Sequence, residues 1–344
     1  MKAAILRAIN SPLEIVDAGL GPLQFGQVSV DMIQSGICGA QLQEIRGEKG
    51  THFPRFMGHE GVGIVREIGQ GVTKVKAGDK VILHWRKGDG IESPSPQFIL
   101  DGETMTAGQV TTFSEQTIVS ENRVTPVEDG VSNDLSALLG CSLSTALATM
   151  EYEAKLKIGE SVLVIGCGGV GLNLIRAAKM RGAGHITAVD CEQTKEESAK
   201  VAGANTFHTD YGIEILYLHL HAAGIMPRYD VVIDTSSNSK AIEMGLEYLA
   251  PSGRFIMIGQ PRDYFTIKNG RAMFEGTGKT IMATQGGGFN PSQDIPRYVN
   301  AWDNGVLNLD GIVTHRMGFL QINDAIELVQ NGLAGRVMIT MNNV

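Results

Sequence analysis

Cysteine is scarce. The 344 residues contain four thiols, at positions 38, 141, 167 and 191. None lies close enough to another to make a Cys-x-x-Cys motif, and a chain of this size does not need disulfide staples. Long apolar runs are also missing. No uninterrupted stretch approaches the roughly 20 residues that span a bilayer, and the opening MKAAILRAINSPLEIVDAG turns polar too soon for a secretory leader. Positive charge is in deficit, with 29 Lys and Arg against 37 Asp and Glu, a formal net charge of −8. No basic cluster offers an electrostatic footprint for nucleic acid. These absences leave a cytoplasmic globular protein without a nucleic-acid or membrane partner as the expectation.

Glycine is plentiful, at 43 residues. Glycine clusters mark tight turns and places where backbone must come close to a ligand. The chain length argues for two domains, because single cores stop growing at roughly 250–300 residues. Up to about residue 130, segments such as QVSVDMIQSGIC, GVGIVREIG, KVILHW and EQTIVSE read as short strands bounded by turn residues. The stretch from Lys87 to Thr111 is dense in Gly, Pro and Ser and reads as an excursion loop. DLSALLGCSLSTALATMEYEA has helical spacing, with Asp134 in position to cap its start. Beyond it, SVLVIG, ITAVD, YDVVIDTS and GRFIMIG read as apolar strands alternating with helices. That alternation is the mark of a doubly wound parallel sheet. The tail holds helical IPRYVNAWDNG and INDAIELVQNG and a strand RVMITM, too short for a core of its own.

One glycine cluster has the setting a dinucleotide requires. Strand SVLVI runs into Gly166-Cys167-Gly168-Gly169-Val170-Gly171, and a helix follows at once. In such a GxGxxG turn the first glycine permits the turn, the second admits the pyrophosphate, and the third lets helix and strand pack closely. The free N–H groups of the helix start then face the phosphates. Asp190 closes the next apolar strand, where a carboxylate accepts from the adenine ribose hydroxyls. A carboxylate there repels a 2′-phosphate, so NAD is the expected cofactor in preference to NADP.

Cys38, in GICGAQLQE, His59, in GHEGVGIVREIG, and Cys141, before the nucleotide half, are donors of the borderline-soft kind that suit zinc. Their spacing alone leaves two readings open, a three-ligand catalytic site or buried thiols with a core histidine.

GICGAQ, GHEGVGIVREIGQGVTKVKAGDKV, GCSLSTALA and GCGGVG follow one another in this order over most of the chain. Together they resemble the zinc-dependent medium-chain dehydrogenase/reductase family, the alcohol and polyol dehydrogenase group. The resemblance implies an α/β chain in which a doubly wound, parallel-sheet dinucleotide-binding domain joins a β-rich, GroES-like catalytic domain. The expected division is a catalytic domain over 1–148, completed by 297–344, and an NAD-binding domain over 149–296. The resemblance makes Cys38, His59 and Cys141 the catalytic zinc ligands, with Glu60 beside the metal as a supporting or transient ligand. It also implies Thr145 beside the nicotinamide, Lys195 near the adenine ribose, Arg336 at the pyrophosphate, and Trp85 as an aromatic wall of the substrate pocket. A homodimer or homotetramer follows from the same resemblance.

Two departures from the family pattern stand out. Many members hold a second, structural zinc on four closely spaced cysteines, whereas residues 87–111 contain none, which excludes a tetrathiolate there. Many also place Ser or Thr two residues after the first ligand to relay the alcohol proton, then an Asp, and often a His nearby. Ala40, Gln41 and Gln43 stand there instead, and Ala40 has no hydrogen-bonding side chain. Ser144, His52 or a water held by Glu60 are the alternative relays. The expected activity is hydride transfer between a zinc-bound secondary alcohol and NAD. Gln41, Gln43, Arg86 and Lys87 favour a sugar, cyclitol or polyol as the small-molecule substrate. A simple alcohol or glutathione adduct is the alternative, and a dinucleotide-binding protein without turnover is the rival outside enzyme chemistry. A zinc-independent quinone-type reductase fits poorly, because such proteins lack the ligand set.

Overall fold

Two kinds of strand pattern in the sequence become two kinds of sheet. The computed structural model describes all residues except 51, 210–227, 262–265, 268–269 and 342–344. The chain divides into one unit of Met1–Ser144, Asn290–Leu307 and Val313–Val344, and a second of Thr145–Phe289 and Asn308–Ile312.

In the first unit, strand Gln27–Ile37 organises a seven-stranded sheet. One side pairs with Gly61–Ile68. The other is shared, with Gln116–Ser120 alongside its first half and Arg336–Thr340 alongside its second. The outer strands are Lys80–Leu83 and Val124–Pro126 at one edge and Val313–Gly318 at the other. The tail is therefore part of this sheet. Its two strands run parallel, joined by helix Ile322–Gln330, which seats Ile322, Ala325 and Ile326 in the core with Val30, Val337 and Ile339. Val313–Gly318, with the polar sequence VTHRMG, carries no strand signal of its own and is recruited by its neighbour. A second, five-stranded sheet includes Lys2–Leu6, Glu14–Leu20 and Arg55–Phe56, where Phe56 stacks on Phe98 at 4.6 Å.

The Lys87–Thr111 segment departs from the loop reading. It contains a hairpin, Gln97–Leu100 against Glu103–Thr106, turned by Asp101 and Gly102, both at positive φ (53° and 82°). Asp-Gly is the residue pair such a turn favours, and it was masked by the polar composition around it. The start of the segment is clamped by buried Glu121, whose carboxylate accepts from the backbone N–H of Thr73, Lys74 and Ile91 at 2.6, 2.8 and 2.9 Å.

Among its described residues the second unit has six parallel strands. In sheet order they are Thr206–Thr209, His185–Asp190, Ser161–Ile165, Tyr229–Asp234, Leu249–Met257 and Thr280–Ala283. In chain order this is 3-2-1-4-5-6, the dinucleotide-binding arrangement, whose ligand crevice lies at the switch between strands 1 and 4. Val162, Leu163, Val164, Val231, Val232 and Ile233 are fully buried, as continuous apolar runs in a doubly covered sheet require. No helix among the described residues is long and apolar enough to cross a membrane.

Candidate metal centre and dinucleotide loop

The first ligand candidate sits at a strand-to-helix junction. Strand Gln27–Ile37 ends and Cys38, still extended (φ −109°, ψ 150°), becomes the N-cap of the short helix Gly39–Ile45. His59 follows Gly58, whose φ of 91° and close approach to Thr112 Oγ1 leave no room for a side chain. Cys141 falls in a break. The segment read as one helix is two, Asn133–Leu139 and Ser142–Ala148, followed by a π turn at Thr149–Glu153. Gly140, at the end of the first helix, lets it pack closely, because a Cβ there would lie 2.3 Å from the Leu83 carbonyl. The first helix is capped by Ser132, whose Oγ accepts from Leu135 N–H at 3.2 Å, and not by Asp134. Asp134 lies inside the first turn and takes hydrogen bonds from Gln34 and Arg316.

These three elements bring Cys38, His59 and Cys141 together, with one ligand atom from each within 4.8 Å of the others. Both thiols are 8% exposed. The hydrogen bond between them holds Cys38 well below the usual thiol range, with His59 and Arg336 adding to the effect. The same bond, with burial, pushes Cys141 well above that range, while Trp85 pulls the other way. The donor chemistry fits a divalent, borderline-soft cation: two sulfurs and an imidazole, with a fourth position left to a small ligand.

Glu60 is outside that set of three. It is fully buried, with one oxygen ion-paired to Arg336 and the other accepting from Ser142 N–H at 3.3 Å. Gly36 is obligatory beside this pair, since a Cβ there would lie 2.1 Å from Glu60 Oε1 and 3.1 Å from Arg336 Nη2. Arg336 is 1% exposed, and burial draws its pKa down while the Cys38 thiol opposes that.

Gln41, expected among the polar groups of a substrate pocket, is fully buried instead. As the third residue of its helix it reaches back, and its Oε1 accepts from Cys38 N–H at 2.8 Å while its Nε2 meets His59 Nδ1. Trp85 is half-buried under the Arg86 guanidinium, 5.5 Å above its ring. His84, not singled out in the sequence, is fully buried between the Arg86 carbonyl (2.7 Å) and Thr125 Oγ1 (3.0 Å), and burial holds its pKa down at about 3. Its place in an apolar strand, KVILHW, was the only signal.

In the second unit the three glycines of the loop do separate jobs. Gly166 turns the chain at φ 93°, and Thr235 Oγ1 lies 3.1 Å from the Ile165 carbonyl and 3.0 Å from that of Gly166. A Cβ on Gly171 would lie 1.8 Å from the Gly166 carbonyl. A Cβ on Gly168, the N-cap of helix Gly169–Met180, would meet no atom within 4 Å. The loop thus has a closed protein side and an open side, and the open side fits a pyrophosphate against the free N–H groups of Gly169, Val170 and Gly171. Asp190 ends strand His185–Asp190, and its carboxylate accepts from Cys167 N–H at 2.6 Å and Glu192 N–H at 3.0 Å. It therefore orders the loop it adjoins. Lys195 is 4% exposed; burial lowers its pKa and Asp190 partly offsets that. Thr145 is 4% exposed, and its carbonyl would lie 2.6 Å from a Cβ on Gly287, which has φ 65°.

Two family models match in tandem. The alcohol dehydrogenase GroES-like domain matches residues 24–129, and the zinc-binding dehydrogenase domain matches residues 169–303. Alcohol dehydrogenase 6 of Peromyscus maniculatus is 28% identical, with 98% of this chain and 97% of that protein covered. An S-(hydroxymethyl)glutathione dehydrogenase of Synechocystis is also 28% identical, over 98% of this chain and 99% of its own. The crystal structure of benzyl alcohol dehydrogenase from Acinetobacter calcoaceticus superposes with a TM-score of 0.87 at 22% identity, over 99% of each chain. The chain belongs to the zinc-dependent medium-chain dehydrogenase/reductase family, the zinc-type alcohol dehydrogenases.

Proposed function

We propose that this protein catalyses NAD-linked interconversion of an alcohol and its carbonyl compound, with zinc held by Cys38, His59 and Cys141. The observation that carries the reading is the convergence of those three donors from far-separated parts of the sequence. When bound, zinc supplies a Lewis acid for the alcohol oxygen and NAD supplies the hydride acceptor.

The chain's own residues prepare the site. Cys38 and Cys141 would hold the metal as thiolates, their protons passing to solvent as it binds. The Glu60–Arg336 pair leaves no net charge behind them, so the attraction for a cation comes from the thiolates themselves. Arg336 is read as the counter-ion of Glu60 in preference to a pyrophosphate partner, because it is 1% exposed and ion-paired there. The open face at Gly168 receives the pyrophosphate, Asp190 takes the ribose hydroxyls beside the loop it orders, and Lys195 and Thr145 complete the cofactor contacts.

The polyol expectation loses much of its support, since Gln41 is spent inside the protein and Lys87 pairs with Glu92 at 3.1 Å. We therefore keep polyols, simple alcohols and glutathione adducts as arms of one test. A second reading, a dinucleotide-binding protein without turnover, is favoured by Ala40, which offers no relay hydroxyl. The experiment is metal analysis together with NADH absorbance on that substrate panel, for wild type and Cys38→Ser. Stoichiometric zinc and turnover, both lost in the variant, are expected. NAD binding without zinc or turnover would support the second reading.

A further inference from the structure

The amide of Gln41 lies between the Cys38 N–H, a donor in any state, and a His59 ring nitrogen that the proposed metal centre turns into one. Cys38 N–H donates to Oε1 at 2.8 Å, and Nε2 meets His59 Nδ1 at the other end. As the structure stands, the arrangement is consistent. The amide oxygen accepts from the backbone, and the amide nitrogen donates to Nδ1 in the tautomer that leaves this ring nitrogen unprotonated. Gln41 is fully buried, so water does not reach the amide to correct a mismatch.

With Nδ1 against Gln41, the ring nitrogen left for a metal is Nε2. A neutral imidazole that offers its Nε2 lone pair carries its one proton on Nδ1. That nitrogen then becomes a donor facing the amide NH2. Reversing the amide repairs this contact but turns the NH2 toward the Cys38 N–H. In either orientation one buried donor is left without an acceptor, a penalty that a buried polar group cannot escape.

We infer that Gln41 is a positioning residue that limits how tightly this chain holds its metal, because its amide cannot satisfy Cys38 N–H and the metal-ligating tautomer of His59 together. The inference rests on the zinc reading of the Cys38–His59–Cys141 set. A carboxylate of the same length removes the conflict, with one oxygen for each donor, and partners behind a ligating histidine change metal affinity by roughly 10–100-fold. Gln41→Glu is therefore expected to bind zinc about tenfold or more tightly than wild type. Gln41→Met, which fills the space and accepts nothing, supplies no acceptor for the Nδ1 proton and is expected to bind more weakly than Gln41→Glu. Gln43→Glu adds the same charge two residues along the half-buried helix and controls for attraction by charge alone.

The test is zinc competition with a chromophoric chelator at one fixed pH for wild type and the three variants, after thermal unfolding of the metal-free proteins establishes that each is folded. It is paired with nitrogen-15 NMR of the imidazole and the Gln41 side chain in wild type, before and after zinc. The expected result is Gln41→Glu tightest, with wild type, Gln41→Met and Gln43→Glu all below it. Zinc loading also places a proton on His59 Nδ1 and moves the Gln41 amide resonances. Equal affinity of Gln41→Glu and Gln43→Glu, or a zinc-loaded His59 without a proton on Nδ1, overturns the inference while leaving the zinc reading intact. Wild type that binds no zinc overturns both. Should Gln41→Glu fail to fold, the wild-type spectra decide alone.

Discussion

Gly171→Ala and Gly168→Ala are the same chemical change three residues apart, and the structure assigns them opposite consequences. At Gly171 the added methyl would lie 1.8 Å from the Gly166 carbonyl oxygen, where ordinary contact begins at 3.4 Å, so strand and helix must part by about 1.6 Å. Neither partner is the loose end of a side chain. Overpacking of this kind costs about 3 kcal/mol, which lowers the melting temperature of a domain this size by roughly 10 °C. At Gly168 the methyl meets nothing within 4 Å, and the backbone (φ −75°, ψ −167°) suits alanine. The stability cost is that of Ala at an N-cap, no more than about 1 kcal/mol. Its methyl instead occupies the face assigned to the pyrophosphate, and NADH affinity is expected to fall at least about tenfold, or 1.4 kcal/mol. Thermal unfolding without cofactor and NADH fluorescence titration separate the two effects. A Gly168→Ala protein that binds NADH as wild type does would refute the placement of the cofactor. A Gly171→Ala protein melting within about 2 °C of wild type would refute the packing argument.

His84, held neutral by burial with a pKa of about 3, makes stability depend on pH. Below about 6.5 the unfolded chain takes up a proton that the folded chain refuses, so stability falls by about 1.4 kcal/mol per unit as pH drops toward 3. At pH 5 the loss is about 2 kcal/mol; urea unfolding of His84→Gln should show a correspondingly flatter acid limb, and identical slopes would contradict the assignment. Glu121→Gln replaces an oxygen that accepts backbone N–H groups with an NH2, leaving at least one buried donor unmet among Thr73, Lys74 and Ile91. The expected cost is about 1–3 kcal/mol, read as a lower urea midpoint with faster proteolysis of residues 87–96; an unchanged midpoint would show that the clamp is dispensable.

The nucleotide half was the more legible in sequence. SVLVI, ITAVD and YDVVID are continuous apolar runs because both faces of their sheet are covered, and the glycine turn announces itself by residue type. The other half was harder. Cys38, His59 and Cys141 were recognisable by motif, but nothing local in sequence measures the gap between them. The strand Val313–Gly318 was missed because its polar residues belong to an edge that a neighbour recruits. The hairpin at Asp101-Gly102 was missed because composition was read over the turn chemistry.

The family resemblance named the three donors; the sequence by itself determined the parallel nucleotide-binding sheet, the loop that enters its helix and the absence of a four-cysteine site. These depend on patterns within a few residues, where backbone geometry and side-chain period are enough. Only the tertiary structure decided which of these groups meet. It set the break at Gly140 that delivers Cys141, the burial of Glu60 against Arg336, and the turning inward of Gln41 to hold Cys38 and His59. Those outcomes come from packing between different elements, up to the 276 residues that separate Glu60 from Arg336. Hydrogen-bond partners and exposure are properties of the surroundings a residue acquires on folding, and a linear chain does not carry them.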